Sequence, residues 1–198
     1  LAGLHGVDPR AIVAAPAAYA RAAQLLHPGP AAEAVVIVDH GHVRTNVCVV
    51  KGGRTVYART ISRGGKHVTQ AVARAWSLPF EEAERAKHSD GFVASRAEPA
   101  TSEAWQRISD VLKMELTPLV RDLRQTLAAC RAQGGVTPRR VILCGGGARL
   151  RGIVPFLSEE LELPVQLVAA ADATRLLGPA LAARNVAPDG ALLALGLA

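Results

Sequence analysis

Between residues 34 and 61 the chain runs AVVIVDHGHVRTNVCVVKGGRTVYARTI, and this stretch limits the possible folds more than any other. It holds three runs rich in Val, Ile and Thr: Val35–Asp39, Thr45–Val50 and Arg54–Ile61. β-Branched side chains crowd a helix and suit a pleated surface, so runs of this kind predict strands. The first run is continuous rather than alternating, which predicts a strand buried on both faces. Gly52-Gly53, between the second and third runs, is a two-residue hairpin signal, because such a turn needs positive φ at its centre. The stretch therefore predicts an antiparallel meander.

Few bulky rings are available to fill the core. Aromatic residues are 4% of the 198, while hydrophobic residues are 49%, so the core must be built from Ala, Val and Leu. A chain of this length buries roughly 70% of its unfolded surface, enough for one medium domain or a domain with a small satellite. Cys48, Cys130 and Cys144 are odd in number and lack zinc-ligand spacing. They are expected to be small buried hydrophobes in a reducing compartment. No signal peptide is visible, and no apolar run reaches the ~18 residues of a membrane span. The chain starts at Leu1 and stops within the apolar GALLALGLA, so it is expected to be a fragment of a longer protein. The net charge of +6 is carried mostly by arginine. Those charges are scattered and do not alternate with aromatics, which predicts a solvated basic surface and no nucleic-acid site.

The remaining elements follow from periodicity. RAIVAAPAAYARAAQLL predicts a strand at Ala11–Ala14 and then a helix with Pro16 near its start, where a missing N–H costs little. HPGP at 27–30 is a linker by composition. Val68, Ala71, Val72, Ala75 and Trp76 recur at helical spacing after Gly64-Gly65. LPFEEAERAKH is a short second helix, followed by a loop. Trp105, Ile108, Leu112, Leu116, Leu119, Leu123, Leu127 and Cys130 mark one long helical face. Pro118 interrupts that face and predicts a bend or two abutting helices. VILC, the glycine turn and ARLRGIVPFL predict strand, turn and helix, with a short strand over Leu163–Val168 and further helices over 172–198.

Two glycine turns and one helix could carry chemistry. In Asp39-His40-Gly41-His42 the strand stops at an acid and a glycine. A tight turn exposes backbone N–H groups, Gly41 lets an anion come close, Asp39 could hold a hydrated cation, and Thr45 could add a hydroxyl. The alternative is a metal chelate by His40 and His42. It needs three or four convergent ligands, and no other His, Cys or acid completes a set, so these are expected to be exposed turn histidines. Gly145-Gly146-Gly147 offers bare backbone to a flat ring or a phosphate near a helix start, or is a plain turn. Glu84 and Lys87, three apart, share a helix face, as a grip on a ribose and base edge or as a solvated pair. No nucleophile–base arrangement appears, and Cys144 has the context of a buried strand residue.

The order of these parts resembles the second half of the actin-like ATPase superfamily, and within it the FtsA/PilM branch and the related cytoplasmic domain of GspL. The resemblance rests on DHGHVRTNVCVVKGGRTVYARTISRGGKHVTQAVA, EEAERAK and VILCGGGARLRGIVPFL, covering most of residues 33–161. PLVRDLRQTLAA tilts it toward the GspL side. It implies an α/β, actin-like (ribonuclease H-like) second domain: a mixed sheet with an antiparallel meander, covered by helices. Residues 1–30 would be the end of the first domain plus a linker, and 31–198 the second domain, with a reduced satellite at about 76–100. Asp39, Gly41 and Thr45 would match the second phosphate loop, Glu84 and Lys87 the ribose–base segment, and Gly145, Gly146 and Gly147 the adenosine loop. His40, His42 and Arg44 stand where active ATPases of the superfamily carry small residues, and Arg151 where a proline is frequent.

The function implied by this resemblance is a non-catalytic cytoplasmic scaffold of a type II secretion or type IV pilus inner-membrane platform. It would dock the secretion ATPase and other platform proteins on the cytoplasmic side of the bacterial inner membrane. Membrane association would come through regions outside this chain, and homodimers are compatible with the scheme. The alternative is an actin-like or sugar-kinase-like phosphotransferase. Most of the first domain is absent, so this chain alone is expected to bind no cofactor tightly, whereas the intact protein could hold ATP and Mg.

Overall fold

Five strands form one mixed sheet in the order β3-β2-β1-β4-β5. The structure, a computed structural model, describes residues 14–26 and 33–168. The strand expected at 11–14 falls almost wholly outside them, as do the linker at 27–30 and the helices expected over 172–198. The meander is β1 (Ala34–His40), β2 (Thr45–Lys51) and β3 (Arg54–Ile61), each antiparallel to the next. Gly52 and Gly53 turn between the last two at φ +58° and +71°, as a primed hairpin turn requires. β4 (Pro138–Cys144) lies parallel to β1, and the short β5 (Val165–Leu167) parallel to β4.

Helices cover both faces, which explains why β1 carries no polar alternation. Toward one face point Val36, Val38, Val47, Val49, Val141 and Leu143. They meet α2 (Gly65–Trp76), α4 (Glu103–Gly134) and α5 (Ile153–Leu161). Toward the other point Val35, Ile37, Cys48, Val50, Ile142 and Cys144, packed on α1 (Ala15–Leu26). The buried side of α1 is Ala18, Tyr19, Ala20, Ala22 and Ala23. All three cysteines are buried, as expected of small hydrophobes.

Of the two outcomes expected at Pro118, the structure excludes the pair of abutting helices. α4 is one unbroken helix of 32 residues with the proline inside it, not two abutting helices. A proline at this point leaves the Met114 carbonyl without its i+4 donor. Met114 is 76% exposed, so that carbonyl can turn to water. Meanwhile Leu112, Leu116, Leu119, Leu123 and Leu127 bury the opposite side. Burying a leucine contributes about 2 kcal/mol, so the row outweighs a single proline costing about 3 kcal/mol. The helix starts at Ser102, whose hydroxyl accepts from the Trp105 N–H at 3.3 Å. Ser102→Ala is expected to cost about 1 kcal/mol, read as a shift of the urea midpoint at unchanged slope.

α3 (Phe80–Asp90) and a loop to residue 102 sit between α2 and α4. The loop is tied down at Ser109, whose hydroxyl accepts from the Ala94 N–H at 2.8 Å, and at Arg151, whose carbonyl accepts from the Val93 N–H at 2.9 Å. The Arg151 guanidinium lies 4.3 Å from the Trp105 ring centre and 5.4 Å from that of Phe92.

Candidate functional site

Because β1 and β4 are parallel neighbours with Asp39 opposite Cys144, both chains leave the sheet at the same edge. The turn of residues 41–44 therefore lies beside the glycine turn. The strand itself runs one residue further than predicted. His40 pairs with Thr45 across the ladder, so β1 ends at His40 and the turn starts at Gly41.

That extra residue corrects the expectation of two exposed histidines. Successive strand residues point to opposite faces, so Asp39 and His40 separate. His40 turns inward and is 2% exposed; His42, in the turn, is exposed. The His40 Nδ1 lies 2.8 Å from the Thr45 hydroxyl, which donates its own proton to the Arg63 carbonyl at 2.7 Å. Burial, with Lys87 and His67 nearby, pushes the His40 imidazole down to about 4. Thr45 is 0% exposed, and its hydroxyl is engaged by these two partners. Asp39 faces α1 instead. The Tyr19 phenol donates to its carboxylate, and burial and that carboxylate push the phenol well above its ordinary range.

The glycines of the second turn divide in the same way. A Cβ on Gly145 would lie 2.5 Å from Asp39 Oδ1 and 2.6 Å from the His40 carbonyl oxygen, and one on Gly147 would lie 2.2 Å from His40 Cδ2. These two are bare because β1 packs on them. Gly146 has nothing within 4 Å of the place its Cβ would take. Packing does not explain its bareness, and it opens a short 3-10 turn over Gly146–Arg149.

Beside Gly146 lies a cleft of about 370 Å³, also lined by His40, Gly147, Glu84, Lys87 and Arg149. Glu84 and Lys87 do share a helix face and do not behave as a solvated pair. Lys87, its side chain 10% exposed, sets Nζ 2.8 and 2.9 Å from the two Glu84 oxygens and 2.9 Å from the Thr69 hydroxyl. Thr69 also hydrogen-bonds Glu84, joining α2 to α3. Burial would raise the Glu84 carboxyl, but the bonds from Lys87 and Thr69 outweigh it and hold it at about 2.

Of the eight residues expected from sequence, Glu84, Lys87, Gly146 and Gly147 line one cleft. Gly41 sits at its rim, where its N–H donates to the Arg44 carbonyl and its carbonyl accepts from the Gly65 N–H. The Lys66 N–H likewise donates to the His42 carbonyl, so the first donors of α2 are spent on the turn. Asp39, Thr45 and Gly145 lie outside the cleft lining. Thr69 and Tyr19 have no place among the site residues read from the sequence, and His40 enters there only as half of a metal chelate and as a bulky residue of the turn. Tyr19 had one signal: a lone phenol within an alanine-rich helix needs a partner for its hydroxyl once buried. Among the described residues no three His, Cys, Asp or Glu side chains converge as metal ligands, and no helix is long and apolar enough to cross a membrane.

Comparison with known proteins agrees with the fold. The family model described as type IV pilus assembly protein PilM matches residues 7–198. The tilt toward GspL drawn from residues 118–129 is not what this match returns. The cell division protein FtsA of Agrobacterium fabrum is 30% identical over 132 residues, 59% of this chain and 30% of that protein. A solved PilM-PilN type IV pilus biogenesis complex superposes with TM-score 0.73 at 24% identity, over 97% of this chain and 53% of the other. MreB 5 of Spiroplasma citri bound to AMPPNP gives 0.61 at 17% identity, over 93% and 56%. The fold is thus actin-like α/β, and the chain spans about half the length of these solved relatives and under a third of FtsA.

Proposed function

The chain belongs to the PilM family of type IV pilus assembly proteins, and from this we propose that it is part of a non-catalytic scaffold on the cytoplasmic side of an inner-membrane pilus platform. The family match over residues 7–198 carries the reading. The related solved complex pairs PilM with PilN, which supports a platform protein of that kind as partner, with the pilus or secretion ATPase as a second. The state of the polar groups also favours a scaffold over an enzyme. Lys87 is committed to Glu84 and Thr69, and Asp39 to Tyr19.

In the intact protein the cleft would take the base–ribose end of a nucleotide, and ATP would serve as a structural ligand. Glu84, Lys87 and Gly146 fit that role, since Gly146 leaves open a space that a side chain would fill. Asp39 does not yet fit a cation: one of its oxygens is taken by Tyr19 and the other packs on Gly145. The competing reading, an ATP-dependent phosphotransferase, draws on the same cleft and on the AMPPNP-bound relative of this fold.

Co-purification of the intact protein with the platform partner and the ATPase separates the two readings. The scaffold reading expects capture that weakens from low to high salt, because exposed arginines engage acidic surfaces. It also expects capture to survive Asp39→Ala in a folded protein, with no ATP turnover. Loss of capture with Asp39→Ala, together with turnover by the unsubstituted protein, would establish the enzyme.

A further inference from the structure

We propose that this chain's side of the nucleotide site works without a divalent cation: Arg44 and Lys66 meet the phosphate charge, while Tyr19 holds Asp39 away from a metal ion. The inference rests on reading the cleft as the base–ribose end of a nucleotide site. The resemblance to actin-like ATPases implies a hydrated cation beside Asp39, and the residues present do not fit one. Asp39 faces α1, where the Tyr19 phenol donates to its Oδ2. Tyr19 is buried, and burial and the carboxylate push the phenol well above its ordinary range, so it keeps its proton and stays a donor. Asn46, opposite Asp39 on β2, bonds the same phenol and itself accepts from the Thr60 hydroxyl at 2.9 Å. Asp39 Oδ1 packs on Gly145, 2.5 Å from the place a Cβ there would take. A hydrated cation needs carboxylate oxygens turned toward its water ligands. Here one oxygen is turned to α1 and the other to the glycine turn.

Positive charge comes from the chain instead. Two segments meet beside the cleft, residues 40–45 and 62–70; they contain Arg44, Arg63 and Lys66 and no Asp or Glu. They are joined by the Gly65 N–H donating to the Gly41 carbonyl at 2.9 Å and the Lys66 N–H to the His42 carbonyl at 2.7 Å. Arg63 is held by Glu115 at 3.0 Å, and Lys87 by Glu84 and Thr69. Arg44 and Lys66 are exposed, and their chain neighbours His42 and Gly65 line the cleft or its mouth. Phosphates running out of the cleft along this turn therefore meet an arginine fork and an ammonium, both of which bind phosphate oxygens by charge-assisted hydrogen bonds. Fixed cations favour the more negative ligand, so free ATP is preferred to its Mg complex.

The test is calorimetric titration of the intact protein at low salt with adenosine and with ATP, the latter once in excess Mg and once in EDTA. ATP is expected to bind about tenfold or more tighter than adenosine, and no more weakly in EDTA than in Mg. Arg44→Ala combined with Lys66→Ala should weaken ATP by about tenfold and adenosine hardly at all, the split expected of a phosphate contact. Tyr19→Phe keeps the ring and removes the donor, and should make ATP binding tighter in Mg than in EDTA. ATP binding by the unsubstituted protein that weakens more than about tenfold when Mg is replaced by EDTA overturns the proposal without any variant having to fold. So does a double variant that binds ATP as the unsubstituted protein does. A folded Tyr19→Phe protein still indifferent to Mg overturns the part given to Tyr19. If neither adenosine nor ATP binds, the nucleotide reading of the cleft fails, a result distinct from these.

Discussion

Replacing Gly145 by alanine is expected to cost about 4 kcal/mol, while the same change at Gly146, the next residue, is expected to be slightly stabilising. Gly145 has φ +89° and ψ 163°, a region essentially confined to glycine, where a side chain costs about 1–3 kcal/mol. Its new methyl would also stand 2.5 Å from Asp39 Oδ1 and 2.6 and 2.8 Å from the His40 carbonyl oxygen and carbon. Backbone cannot swing aside, and overpacking of this kind adds about 1–3 kcal/mol. At Gly146 the φ is ordinary and the space is empty, so alanine restricts the unfolded chain and gains about 0.5 kcal/mol. Thermal unfolding reads the contrast: a midpoint about 10 °C lower for Gly145→Ala and unchanged or slightly higher for Gly146→Ala. The two variants also separate fold from ligand. Gly146→Leu should keep the stability and fill the cleft. If Gly146→Ala is as damaging as Gly145→Ala, the glycine turn is a packing device throughout and the cleft has no claim on it.

The meander was legible because each of its signals is local. Three β-branched runs and the Gly52-Gly53 pair mark the strands and their turn without reference to the rest of the chain, though not the bulge at Val49/Val50 where the register shifts. The long helix was legible from its leucine spacing, but its continuity through Pro118 was not. That depends on which side of the helix the proline faces and on the core beneath the leucines. At the site, the pairing of Glu84 with Lys87 could be read from their spacing, whereas Thr69, which completes the network, comes from another helix. The sides taken by Asp39 and His40 turned on a single residue of strand length. Whether β1 stops at 39 or 40 is decided by the cross-strand partner, Thr45, and propensity cannot place a strand end that finely. The glycine triplet looked uniform in sequence. Only the neighbours of each position, supplied by β1 on the parallel ladder, show that two are bare for packing and one is not.

Between pH 7 and pH 4.5 the protein is expected to lose stability steeply, through His40. Its folded value of about 4 lies below the ordinary imidazole value of 6.5 because the ring is buried and Lys87 and His67 disfavour a further positive charge. The charges that act on it, from Lys87 and His67, push its value down further and do not offset the burial. The unfolded chain therefore takes up a proton below pH 6.5 that the folded protein refuses until about pH 4. Stability from this residue is full above the unfolded value and drains away as the pH falls toward the folded one. The whole window is worth about 3 kcal/mol, at about 1.4 kcal/mol per pH unit. Glu84, held at about 2 against the ordinary carboxyl value of 4.5, acts in the same direction but in a lower window, so the two do not overlap above pH 4.5. Urea unfolding at half-unit steps from pH 7 to 4.5 measures the slope. His40→Phe, which cannot titrate, should flatten it over this range whatever it does to stability at pH 7. A slope that survives the substitution would place the acid sensitivity elsewhere. A flat profile in the unsubstituted protein would mean that the buried ring accepts a proton in the folded state at little cost.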